Sequence, residues 1–223
     1  MDFTTVDYYQ WFLPCTLALA ITANRKSKNL RIWVLTFASY TFFWFASGWH
    51  LLLLGVSTAN DWIAGKSINH SSNDDVKRRW LIASLLLNLG LLAVFKYLDF
   101  FIETFNVISL KLPNSPQVDA LGIALPVGIS FYTFQTMSYT IDIYRGKSKP
   151  YENFIDFACY ASFFPQLVAG PIVRADEFKQ QLESPMTINP VAVRLGLTLI
   201  VFGIFKKMVI GDNIALHVNH IFE

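Results

Sequence analysis

Apolar residues in this chain come in long runs separated by short polar or basic stretches. The runs span residues 8–23, 32–48, 49–63, 80–108, 121–144 and 191–210, against the about 20 residues a helix needs to cross a hydrocarbon core. Runs two and three meet at Gly48, which predicts a tight helical hairpin. A further run, residues 153–164, reaches only about 18 Å as a helix. It then meets FPQLVAGPIVR, where Pro165, Gly170 and Pro171 interrupt regular structure. That run cannot cross alone, so the pattern predicts an all-α, polytopic membrane bundle containing a broken or re-entrant segment.

Composition supports the same class: 53% of the residues are hydrophobic and 15% charged, where soluble domains average about 25% charged. The net charge of +2 selects no partner, and no basic patch points to nucleic acid. The position of the charges matters more. Arg25, Lys26, Lys28 and Arg31 follow the first run; Lys66, Lys77, Arg78 and Arg79 the third; Arg145, Lys147 and Lys149 the fifth. The intervening turns are nearly bare, so the positive-inside rule places the N-terminus outside and these loops in the cytoplasm. Beyond residue 153 the basic residues oppose one another, and the path of residues 153–190 stays open. Trp44, Trp49, Trp62 and Trp80 stand near run ends, where indole rings anchor at the interface. The two aspartates of the first twelve residues, with no lysine or arginine, do not suit a cleaved signal peptide. With no internal repeat, residues 1–223 read as a single membrane domain.

Other motifs lead nowhere. AGKS at 64–67 lacks the glycine of a phosphate loop, Asn60 standing there instead. His217 and His220 share a helical face, yet two ligands do not make a zinc site, and no metal site is expected. NHS at 69–71 falls in a loop assigned to the cytoplasm, so its match to a glycosylation sequon carries no weight. His50 reads as an interfacial polar cap. Cys15 and Cys159 lie in apolar runs and read as buried hydrophobes.

The fifth run is unusual for its polar content. At 100° per residue Gly128, Tyr132, Gln135, Tyr139 and Asp142 fall within about 80° of one another. Facing lipid, such groups would each cost several kcal/mol, so the stripe is expected to face other helices or a water-filled cavity. Two readings remain open: hydrogen-bonded glue between helices, with Asp142 and Arg145 paired at the end of the run, or the wall of a substrate passage.

LPVGISFYTFQTMSYTIDIYRG, followed by NFIDFACYASFFPQLVAGPIVRADEF, resembles the membrane-bound O-acyltransferase family and, within it, the alginate O-acetyltransferase branch. NLRIWVLTFASYTFFWFASGW and WLIASLLLNLGLLAVFKYLDFF resemble that branch's early hairpin and next long helix. The resemblance implies an enzyme of the bacterial inner membrane that moves an acetyl or similar group onto a hydroxyl of an extracytoplasmic polysaccharide. Its donor, acetyl-CoA or a similar compound, would be a substrate and not a bound cofactor. Tyr132, Gln135, Tyr139 and Asp142, with Pro165, Gln166, Gly170 and Pro171, would line the passage. The lipid bilayer, the acyl donor, the hydroxyl acceptor and other polysaccharide-modification proteins are the partners implied. The family's catalytic histidine belongs to a second half whose pattern does not occur in these 223 residues. The chain therefore reads as the amino-terminal part of a longer enzyme or as a naturally shortened relative, with no catalytic residue of its own and no activity expected by itself. Rival readings are a membrane channel or transporter, since aligned intramembrane polar residues and broken helices suit both, and a non-catalytic membrane subunit.

Overall fold

The computed structural model of the protein describes residues 5–109, 118–167, 170–184 and 188–222. All regular elements among them are helical, as the apolar pattern predicts. A π-turn, Tyr8–Phe12, continues into α1 (Leu13–Lys26), with Pro14 in the first turn, where a missing N–H leaves no bond unmade. Ser27 ends α1 and caps α2 (Lys28–Ser47), its Oγ accepting from the Asn29 N–H at 3.2 Å. Gly48, at φ +57°, turns the chain through a 3₁₀ segment, Gly48–His50, into α3 (Leu51–His70). Asn73 then caps α4 (Asp74–Leu92), whose first turn carries Asp74 and Asp75 beside the positive end of the helix dipole. A π-turn, Ala93–Tyr97, joins α4 to α5 (Leu98–Ser109). There follow α6 (Ile129–Tyr144), α7 (Phe154–Ser162), the single turn α8 (Phe164–Leu167), α9 (Ala175–Glu183), α10 (Pro190–Phe205) and α11 (Asp212–Phe222).

Two buried apolar clusters mark opposite ends of the bundle. One gathers Ile32 at the start of α2, Ile68 at the end of α3, Ile143 at the end of α6, and Tyr151, Phe157 and Phe178. The other gathers Phe43, Leu54, Leu92, Ile129, Tyr132 and Leu167. Helices α2 and α3 are thus two arms of a hairpin hinged at Gly48, both packed against α7. The same division puts the basic stretches 25–31, 66–79 and 145–149 at the first end, and Gly48, Leu92 and Gly128 at the second. Up-and-down alternation over the first five runs follows.

Several boundaries differ from expectation. The fourth run belongs to a continuous helical stretch, Asp74–Ser109, about 54 Å long and well beyond a hydrocarbon core. The fifth run becomes helical only at Ile129, because Gly122 (φ +59°), Pro126 and Gly128 (φ +71°) exclude regular helix before it. The extended chain from Val118 is held by side chains instead. Leu121 and Ile123 donate their amides to the Asp99 carboxylate (2.9 and 3.2 Å), Val127 donates to Ser47 Oγ (3.0 Å), and Val118 pairs through both main-chain groups with Asn106. Helix α10 buries none of its residues. Cys159 is buried, but Cys15 is exposed on the outside of α1; a thiol suits a lipid-facing position as well as an internal one. Trp44, Trp49 and Trp80 are exposed, whereas Trp62 packs on Phe154 under the Lys66 ammonium. Arg31, expected in a solvated loop, is buried and clamps the end of α9 through the Leu182 and Ser184 carbonyls.

Candidate functional site

Helix α6 presents its polar residues to protein. Tyr132, Gln135 and Tyr139 are each no more than 1% exposed, while Phe134 on the opposite side is 47% exposed. At the end near Gly48, Tyr132 meets Phe43 edge-on with ring centroids 6.2 Å apart. In mid-helix Gln135 Nε2 donates to the Tyr160 carbonyl of α7 at 2.8 Å, and the Tyr160 hydroxyl lies 3.3 Å from the Gln135 carbonyl and 3.1 Å from that of Val173. A carbonyl can only accept, so the Gln135 amide orientation is set and its Oε1 points elsewhere. That oxygen is buried and has no hydrogen-bond donor among the described residues.

One turn further along, Tyr139 lies 4.4 Å from Phe157 and 6.0 Å from Tyr151 between ring centroids, and its oxygen accepts from the Tyr151 N–H at 3.4 Å. A Cβ at Gly65 would come within 2.9 Å of Tyr139 and Ile143, so the glycine is what lets α3 and α6 approach there. Burial, with Tyr160 alongside, pushes the Tyr151 phenol well above the usual tyrosine range, and it donates to the Ala175 carbonyl at 2.8 Å. The stripe is therefore glue along much of its length, stacked aromatics filling its basic-loop end. Asp142, half-buried, closes the stripe, and no ion pair joins it to Arg145 among the described residues. The expected pair is corrected accordingly: the turn is closed by main-chain bonds, Lys147 N–H donating to the Asp142 carbonyl at 2.9 Å.

The predicted break adjoins the other end of α6. Helix α7 stops at Ser162, Phe163 turns to ψ 105°, and the Phe164 amide left over donates to Ser39 Oγ of α2 at 3.2 Å. That freed amide finds protein, as irregular backbone at membrane depth requires. Gly128 opens α6 in the left-handed conformation, and a Cβ there would stand 2.6 Å from the Leu167 carbonyl oxygen. The start of α6 is thus seated on the break. Gly170 folds back so closely that a Cβ would lie 2.7 Å from Gln166 Cα, with its N–H bonded to the Gln166 carbonyl at 3.0 Å. Pro165 and Pro171 are exposed, Gln166 and Gly170 half-buried, and Gln166 Oε1 is a second buried amide oxygen without a donor among the described residues.

A second polar group in the same helix layer escaped sequence reasoning. Asp61 of α3 is fully buried, and its carboxylate accepts from Ser84 Oγ (2.5 Å), from Asn88 Nδ2 (2.8 and 2.9 Å) and from Asn60 Nδ2 (3.0 Å). Ser57 completes the group by donating to Asn88 Oδ1 at 2.6 Å and standing 3.5 Å from Thr136 Oγ1 of α6. The signal was present: Ser57 and Asp61 on one helix, Ser84 and Asn88 on the next, each pair four residues apart on one face. Among the described residues no three His, Cys, Asp or Glu side chains are grouped to hold a metal ion; His217 is exposed, and the His220 side chain lies outside what is described.

Comparison with known proteins follows the whole chain. It is 35% identical over its full length to a probable alginate O-acetylase AlgI of Pseudomonas aeruginosa, of which it covers 42%. It is 33% identical over its full length to that of Azotobacter vinelandii, covering 44%. Against a peptidoglycan O-acetyltransferase of Helicobacter pylori the figures are 34% identity over 96% of the chain and 45% of the relative. The chain spans less than half the length of these relatives, and aligns with the amino-terminal part of each. No family model matches it, and no solved structure does.

Proposed function

We propose, given that the whole chain corresponds to the amino-terminal part of membrane-bound O-acyltransferases of the alginate O-acetylase branch, that it builds one wall of the passage in which an acyl group reaches a polysaccharide hydroxyl. The observation that carries this reading is a pair of buried amide oxygens, Gln135 Oε1 on α6 and Gln166 Oε1 on the break, with no donor among the described residues. A buried acceptor left unmade costs about 1–3 kcal/mol, so a helix bundle retains one where something else supplies the donor. A ligand bearing N–H or O–H groups, such as the amide-rich arm of an acyl thioester or a sugar hydroxyl, has that chemistry. Both oxygens accept, so these residues bind and orient; neither takes a proton from the attacking hydroxyl, a task for a general base that this reading places in a further segment. The donor would enter from the cytoplasm, at the basic-loop end, and the acceptor from outside, with the N-terminus outside in the inner membrane. Acetyl-CoA or a similar thioester is the donor class and a polysaccharide hydroxyl the acceptor class.

The test is complementation. The gene encoding this chain, with its adjoining coding sequence, is expressed in a bacterium whose own polysaccharide O-acetylase is deleted, and acetyl ester on the polysaccharide is measured. Restored acetylation is expected. Absence of ester while the protein is present in the membrane would argue against the assignment.

A further inference from the structure

His50, expected as a polar cap on the α2–α3 hairpin, is only 6% exposed. Its Nδ1 lies 2.7 Å from the Ser47 carbonyl. A carbonyl only accepts, so Nδ1 carries the hydrogen and Nε2 presents a lone pair. That nitrogen is buried and has no hydrogen-bond partner among the described residues, and a buried polar atom left unpaired calls for a ligand or a reason. The imidazole is also held in place. Trp49 stacks on it with ring centroids 4.1 Å apart, Phe95 of the π-turn stands edge-on at 6.2 Å, and Ser47, whose carbonyl orients the ring, accepts the Val127 N–H on its Oγ at 3.0 Å. Trp49 remains 55% exposed beyond the part that His50 covers. Both rings stand at the Gly48 end of the bundle, with Gly128 and the break, which is the end proposed above to face outside. A lone pair there accepts hydrogen and repels anions, so it does not suit the phosphates of an acyl donor. It suits a sugar, whose hydroxyls donate and whose C–H face packs on the electron-rich face of an aromatic ring.

We infer that His50 and Trp49 form an outer subsite for the polysaccharide acceptor: Nε2 accepts a hydrogen bond from one sugar hydroxyl while the sugar ring lies against the exposed indole. This inference rests on the function proposed above and adds to it the place where the acceptor is first held. His50 binds and positions here; it takes no proton from the attacking hydroxyl.

Acetyl transfer by membranes expressing the gene with its adjoining coding sequence is measured against deacetylated alginate oligosaccharides at saturating acetyl-CoA, then against acetyl-CoA at saturating oligosaccharide. His50→Leu should raise the KM for oligosaccharide about 2- to 12-fold, as loss of one neutral hydrogen bond predicts, with kcat and the KM for acetyl-CoA unchanged. His50→Gln, which keeps an acceptor in place of Nε2, should recover most of that loss, and Trp49→Leu should raise the same KM several-fold. An oligosaccharide KM unchanged in His50→Leu would overturn the subsite. So would a His50→Gln variant as impaired as His50→Leu, since the ring would then serve structure alone. Should His50→Leu not accumulate in the membrane, Trp49→Leu, a surface change, decides on the same KM: a raised value supports the subsite and an unchanged one refutes it. Transfer by the wild type with no shift in these variants removes the subsite and leaves the proposed function standing, whereas no transfer by the wild type removes both.

Discussion

Gln135 shows how one side chain divides between structure and function. Its nitrogen and main-chain carbonyl tie α6 to Tyr160, while its Oε1 has no donor among the described residues. Removing the Tyr160 hydroxyl tests the structural half: Tyr160→Phe should destabilise the chain by about 0.5–2 kcal/mol, the range for polar contacts between membrane helices, read as a lowered unfolding midpoint in detergent. Gly128 makes a sharper case. At φ +71° and with the Leu167 oxygen where a Cβ would sit, Gly128→Ala should cost at least about 1–3 kcal/mol. Gly65→Ala meets only side-chain ends of Tyr139 and Ile143 and should cost less in the same measurement.

At the scale of elements, periodicity carried the inward face of α6 because its polar groups recur on a single stripe, and length marked residues 153–164 as a short element, which folds as the nine-residue α7. What it missed has physical reasons. An apolar reading begun at Leu121 passed over Pro126 and Gly128, whose backbone limits outweigh the hydrophobicity of the residues between them. Asp61 was hidden because only its pairing with Ser84 and Asn88 on another helix makes it tolerable, and a single helix does not display that. Arg31 was counted as a loop charge because, besides the nearby Asn24 Oδ1, its partners are main-chain carbonyls some 150 residues away. Its role is testable. Arg31→Met should leave the carbonyls at the end of α9 without their clamp and speed hydrogen exchange over residues 175–184, with the amides of α3 unaffected.

For the whole molecule, the two apolar clusters place the basic stretches at one end of the bundle, and the inner-membrane orientation proposed here puts that end in the cytoplasm. In a Cys15→Ser background, cysteines replacing Asn73 and Lys147 should react with an impermeant thiol reagent from the cytoplasmic side only, and one replacing Trp49 from the outside only. The fold class and its alternation were legible in the chain. The inward polar face of α6 was legible too, but not what packs against it, since that depends on aromatic residues from α7.

The proposed function requires that the buried face of α6 touch the reacting molecules. Its most direct measure is the rate of acetyl transfer to polysaccharide by membranes expressing the gene, with Gln135→Leu compared with wild type at equal amounts of folded protein. Loss of one hydrogen bond of about 1.4 kcal/mol predicts a tenfold slower rate, with Phe134→Leu, on the lipid side of the same helix, unaffected. Equal rates for Gln135→Leu and wild type would contradict it.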